Sequence, residues 1–171
     1  MEDKDLFDET RKLFVIDDDP IQVEMIQDYI KDRYVFEVKS YGDGESAMSD
    51  IKSEHPEIIV LDYHLSSQNS NAKNGIEILK EIGKISPRTK VFMFSGKDDM
   101  EIAKECIQNG AFDFIVKGPS AFDKLERTIN RLGDMNQLES INKAQKKTIT
   151  ILVVGILLVV LLGLFYFISQ E

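Results

Sequence analysis

Polar residues stand directly after four short apolar runs, where a buried strand would release them. Asp17 and Asp18 follow Leu13-Phe14-Val15-Ile16, and Asp62 follows Ile58-Ile59-Val60-Leu61. Ser95 follows Val91-Phe92-Met93-Phe94, and Lys117 follows Phe112-Asp113-Phe114-Ile115-Val116. Runs of this length and composition fit strands buried on both faces, as in a parallel sheet. The C-terminal ends of such strands share one rim, where open α/β sheets carry their ligand sites. Three carboxylates, a hydroxyl and an ammonium are therefore expected to converge there. Close carboxylates repel one another, and a bound divalent cation relieves that repulsion. A hard, oxygen-only set with waters completing it suits Mg²⁺ better than zinc.

The elements that must position these groups alternate along the chain. Asp19 followed by Pro20 is a helix start, a capping carboxylate and then proline at the first helical position. Ile21, Met25, Ile26, Tyr29 and Ile30 recur at helical spacing after it. Tyr34 to Ser40 alternates polar with apolar residues and reads as an edge strand. Asp43-Gly44 opens a second helix, closed by His55-Pro56. A polar loop from Ser66 to Asn74 leads to a third helix carrying Ile76, Ile78, Leu79 and Ile82. Asp98 to Asn109 reads as a helix capped by Gly110. It holds Cys106, the one cysteine, most simply a small core residue. A last helix begins near Ser120, with Phe122, Leu125, Ile129 and Leu132 on one face. Five strands alternating with five helices define an α/β domain with helices on both faces of a parallel sheet.

At 171 residues and 43% hydrophobic content the chain can bury one ordinary core plus an appendage. A net charge of −9 argues against a nucleic-acid surface, which needs clustered Lys and Arg. The single cysteine excludes an internal disulfide and any zinc site built from several thiolates. The appendage is apolar. No charged residue occurs from Thr148 to Gln170, and at about 1.5 Å per residue such a helix spans roughly 30 Å, a bilayer core. A transmembrane helix is expected at 148–168, before a short tail at 169–171 and after a juxtamembrane linker at 133–147, open to a helical form, with Gly133-Asp134 as a candidate break in the last helix. Lys143, Lys146 and Lys147 precede it, so the positive-inside rule places the N-terminal part on the cytoplasmic side of a membrane and the C-terminus outside.

An acidic pair, a central Asp, a hydroxyl and a Lys, each at a strand end in this order, resemble the receiver domain of two-component response regulators. The likeness covers roughly Lys12 to Leu132, after an N-terminal tail at 1–11. It implies a flavodoxin-like fold with strand order 2-1-3-4-5, and a signalling module in place of an enzyme. Asp62 would accept a phosphoryl group from a sensor histidine kinase or phosphotransfer protein and become 4-aspartylphosphate. Asp17, Asp18, Asp62 and the backbone carbonyl of His64 would hold Mg²⁺. Lys117 would neutralise charge on the transferring oxygens. Ser95 would bond a phosphoryl oxygen and pull on its loop, while Phe114 occupies the aromatic switch position. Output would pass by contact to another protein. The expected partners are thus the kinase or phosphotransfer protein, an output protein and the membrane, with a homodimer left open and no nucleic acid.

Three departures from the family pattern stand out. The loop Ser66 to Lys73 is several residues longer than usual. Lys117 is followed by Gly118-Pro119 instead of directly by Pro, which questions the usual cis peptide. Phe114 lacks the hydroxyl of a Tyr. Two other readings stay open on the residues alone. One is a phosphohydrolase with an aspartyl-phosphate intermediate, for which Asp17-Asp18-Asp19 contains the Asp-x-Asp spacing. The other is a membrane scaffold that is never phosphorylated.

Overall fold

The computed structural model describes residues 11–65 and 73–168, with the side chains of 158–168 excepted. The expected loop insert, apart from Lys73, and the tails at 1–10 and 169–171 lie outside the described residues. Five strands and five helices alternate: β1 (Lys12–Ile16), α1 (Pro20–Arg33), β2 (Glu37–Tyr41), α2 (Gly44–Glu54), β3 (Ile58–Asp62), α3 (Gly75–Ile85), β4 (Lys90–Ser95), α4 (Met100–Gln108), β5 (Asp113–Val116) and α5 (Ala121–Ile168). The strands form one parallel sheet in the order β2-β1-β3-β4-β5. The expected flavodoxin-like order is therefore present. The chain divides into two units, 1–125 and 126–171.

Strand alternation explains how a three-layer core forms from such short runs. Phe14, Ile16, Ile59, Leu61, Met93 and Phe114 share one face with Ala47 and Ile51 of α2, Ile78 and Ile82 of α3 and Cys106 of α4. Leu13, Val15, Val60, Phe92, Phe94 and Ile115 alternate with them and are equally buried, as are Ile26 and Ile30 of α1. Each fully buried Ile, Leu or Phe contributes about 1.5–3 kcal/mol. β2 is the half-exposed edge that its polar content implied. It begins at Glu37, later than Tyr34, because Tyr34 caps α1 and Phe36 is covered by the Arg11 guanidinium 4.4 Å above its ring.

The helix starts follow their capping residues. Asp19, Asp43, Asn74 and Asp99 each accept a backbone N–H from the first turn they precede. At α3 the cap is reciprocal, with the Glu77 carboxylate accepting the Asn74 N–H. α2 closes on His55 in the left-handed region at φ 46°, and the ring meets the Ser86 hydroxyl at 3.2 Å. Gly110, at φ 99°, follows α4 where an L side chain would be strained.

Two expectations about the C-terminal part are corrected. Gly133 does not interrupt the last helix, which runs unbroken to Ile168; one glycine costs a helix only about 1 kcal/mol. The membrane-spanning helix expected at 148–168 is overturned, because among the described residues no helix is long and apolar enough to cross a membrane. Upstream, the same helix carries Glu126, Arg131, Asp134, Glu139 and four lysines. The expected placement at the cytoplasmic face of a membrane rested on that span and falls with it.

Burial, helped by the neighbouring Glu105 charge, pushes the Cys106 thiol up to about 11. Its proton is held more tightly in the folded than in the unfolded chain. The thiol's contribution to stability is therefore complete below the ordinary 9.0 and is lost as pH climbs through 11. Iodoacetamide at pH 8 is expected to leave the native chain unmodified and to label one thiol per chain in denaturant, read by mass spectrometry.

Candidate functional site

The rim at the C-terminal strand ends gathers four of the expected groups. β1 ends at Ile16, and the next residue continues its pairing with β2, the Asp17 N–H donating to the Tyr41 carbonyl at 3.1 Å. That turn buries the Asp17 side chain beside Asp62, the last residue of β3. Asp17 and Asp62 are 3% and 4% exposed, whereas Asp18 faces solvent. One carboxylate oxygen from each of Asp17, Asp18 and Asp62 lies within 4.8 Å of the others. Lys117, one residue beyond β5, reaches across the sheet. Its Nζ donates to Asp17 Oδ2 at 2.8 Å and stands 3.0 Å from Asp62 Oδ1.

The electrostatics are those of a crowded acidic pocket. Burial raises the Asp17 carboxyl above its usual range, and the Asp62 charge adds to the rise. Lys117 and the Asp19 N–H, at 3.0 Å from Asp17 Oδ1, pull the other way without cancelling it. Burial disfavours the Lys117 ammonium, but Asp17 and Asp62 together outweigh that and raise it. Lys117 meets Asp62 Oδ1 as an ion pair at 3.0 Å, and that buried oxygen is otherwise without a hydrogen-bond partner. A buried carboxylate oxygen left this way costs free energy unless something else binds it. The two buried carboxylates, Asp17 and Asp62, share the Lys117 ammonium between them. Both observations fit a divalent cation held by oxygen ligands.

Ser95 is fully buried at the end of β4, its hydroxyl accepting the Lys97 N–H at 3.1 Å. Its carbonyl accepts the Lys117 N–H at 2.7 Å, which ties the two residues through the main chain. Phe114 lies in the core, 6% exposed. The Lys124 ammonium donates to its carbonyl. His64, two residues past Asp62, exposes its side chain and stands edge-on to the Tyr63 ring at 4.7 Å. Asp19 is drawn away from the cluster, its carboxylate accepting the Ile21 N–H at 2.9 Å as the cap of α1. Among the described residues no peptide bond is cis, so the Lys117-Gly118-Pro119 link lacks the isomer common after this lysine.

A sequence model of the response regulator receiver domain matches residues 13–130. The chain belongs to the response regulator receiver family. The receiver is 31% identical over 127 residues to the probable C4-dicarboxylate response regulator DctR of Bacillus subtilis, matching 74% of this chain and 54% of that protein. It is 30% identical to NtrX of Brucella abortus, with a TM-score of 0.66 over 76% of this chain and 28% of that one. A CheY-like receiver from Methanospirillum hungatei JF-1 superposes with a TM-score of 0.65 over 75% of this chain and 98% of that one, at 20% identity. That last likeness is one of fold. The receiver spans about half the length of the first curated relatives it matches. Receivers are signalling domains and not metabolic enzymes, and they bind Mg²⁺ at an acidic pocket.

Reading the sequence alone passes over the exit of the long loop. The Lys73 N–H donates to Glu45 Oε1 at 3.0 Å, and Lys73 Nζ bonds Glu81 at 2.5 Å. Gly75 then packs against the main chain of Asp62 and Tyr63. The Asn74-x-x-Glu77 box is a legible helix start, but nothing local announces that its second residue touches a distant strand.

Lys117→Met is expected to destabilise the metal-free receiver at pH 7 by about 2–3 kcal/mol, below the cost of breaking a fully buried pair because the lysine is partly exposed. The signs follow from the shifts. Asp17, raised, contributes stability below 3.8 that is lost as pH rises through its folded value; Lys117, raised, contributes below 10.5 and is lost above. The deficit of the variant should therefore shrink as pH is lowered toward 4, where the stranded carboxylates take up protons. Urea unfolding at both pH values measures this, and an equal deficit at each would speak against the ion pairing.

Proposed function

We propose that the receiver accepts a phosphoryl group on Asp62 from a phosphorylated histidine of a kinase or phosphotransfer protein, and signals by changing its contacts with an output protein. The observation that carries this reading is the buried Asp62 Oδ1, lacking a hydrogen bond and 3.0 Å from the Lys117 ammonium. In the reaction an Asp62 carboxylate oxygen attacks phosphorus as the P–N bond to the donor imidazole breaks. The imidazole nitrogen leaves with the bonding electron pair. A carboxylate nucleophile has no proton to surrender, so the chain needs no general base. That agrees with Asp19 serving as a helix cap instead of standing beside Asp62.

Positioning and charge neutralisation are most of what phosphoryl transfer asks of a protein. Asp17, Asp18, Asp62 and the His64 carbonyl are the proposed Mg²⁺ ligands. When bound, the cation supplies Lewis-acid neutralisation of the phosphoryl oxygens. Lys117 holds positive charge beside Asp62 Oδ1 and so offers a second counter-charge for the product. The Ser95 hydroxyl, now satisfied by the Lys97 N–H, is the group that would turn to a phosphoryl oxygen. Because the Ser95 carbonyl holds the Lys117 N–H, movement of Ser95 loads β5 and Phe114. Such a local charge event biases a two-state surface. The receiver domain proposed here comprises 12–132.

Incubation with Mg²⁺ and acetyl phosphate should place one hydroxylamine-labile phosphoryl group on Asp62. Asp62→Asn and chelation of Mg²⁺ should each abolish it, whereas Ser95→Ala should still be phosphorylated but lose the accompanying conformational change. Phosphotransfer is followed by mass spectrometry of the peptide carrying residue 62. Unaltered labelling of Asp62→Asn would exclude this acceptor.

A further inference from the structure

We propose that Gly75 is a positioning residue for the acceptor: the first turn of α3, seated directly on the main chain of Asp62 and Tyr63, sets where the carboxylate and the next carbonyl stand. This rests on the reading of Asp62 as the acceptor at a Mg²⁺ site. A Cβ at position 75 would lie 2.5 Å from the Asp62 carbonyl oxygen, 2.9 Å from Tyr63 Cα and 2.9 Å from the Tyr63 oxygen. All three are backbone atoms, so no side-chain rotation relieves the contact. Space alone demands glycine, because the residue does not occupy the left-handed region.

The approach is held from both sides. The Tyr63 N–H donates to the Phe94 carbonyl of β4 at 2.7 Å, while its own carbonyl accepts the Gly75 N–H at 3.3 Å. Segment 62–63 is thereby clamped between the sheet and α3. On the helix side the clamp is anchored by the reciprocal Asn74–Glu77 cap and by Lys73 on Glu45 and Glu81. The chain thus returns from its long loop to a defined place beside Asp62. Gly83, on the same helix, has open space around it and plays no such part. A displaced 62–64 segment would carry an expected carboxylate ligand and an expected carbonyl ligand away from the other two acids. Outer groups that orient metal ligands typically govern affinity by 10–100-fold.

The test is calorimetric titration of the full chain with MgCl₂, beside phosphorylation by acetyl phosphate. Gly75→Ala is expected to raise the Mg²⁺ dissociation constant at least about tenfold and to slow phosphorylation in step. Gly83→Ala, and Ile30→Val as a remote core change that costs stability, should keep the wild-type constant. Should Gly75→Ala fail to fold, Asn74→Ala loosens the same turn without adding bulk and should weaken Mg²⁺ several-fold. Wild-type affinity in Gly75→Ala, or in Asn74→Ala where the former does not fold, overturns the inference and leaves the acceptor reading intact. A wild-type chain that neither binds Mg²⁺ nor is phosphorylated overturns both.

Discussion

One ammonium between two buried carboxylates is the constraint on which the rim of this sheet depends. Lys117 stands 2.8 Å from Asp17 and 3.0 Å from Asp62, groups that begin 100 and 55 residues earlier in the chain. Burying a carboxylate without a partner costs several kcal/mol, and one lysine shared by two buried acids offsets only part of that. The pocket is thus left electrostatically incomplete. The raised Asp17 carboxyl is one sign of this, and the unbonded Asp62 oxygen is another. A site kept short of positive charge is suited to binding a cation and then a phosphoryl group, because each arrival relieves a cost already present.

The scaffold transmits this constraint through main-chain bonds. Ser95 and Lys117 are joined by a carbonyl and an N–H across β4 and β5, so neither can shift alone. Tyr63 is joined to Phe94 on one side and to Gly75 on the other. A change at Asp62 therefore meets two main-chain connections, one to Phe94 of β4 and one to the start of α3. Long flexible side chains would not couple the groups as directly.

The fold was largely legible because its signals are local. Apolar runs marked the buried strands, Asp19 and Asp43 marked helix starts, and Gly110 marked the end of α4. Errors fell where local signals compete. Phe36 looked like a strand residue but is held by Arg11, and Gly133 looked like a break but is absorbed by a continuous helix. The apolar C-terminal run suggested a bilayer span, yet among the described residues no helix meets the length and apolarity that a span needs.

Which residues stand at strand ends was legible from the order of the chain, since each apolar run gives way to a polar group where the strand leaves the core. That order therefore determined the chemistry available at the rim: three acids, a hydroxyl and an amine. Tertiary structure alone decided which of them touch. Burial of Asp17 but not Asp18, the reach of Lys117 to both acids and the missing hydrogen bond on Asp62 depend on register and packing between strands remote in sequence. The same holds for Gly75, whose significance lies wholly in the backbone it approaches, which no local pattern of residues encodes.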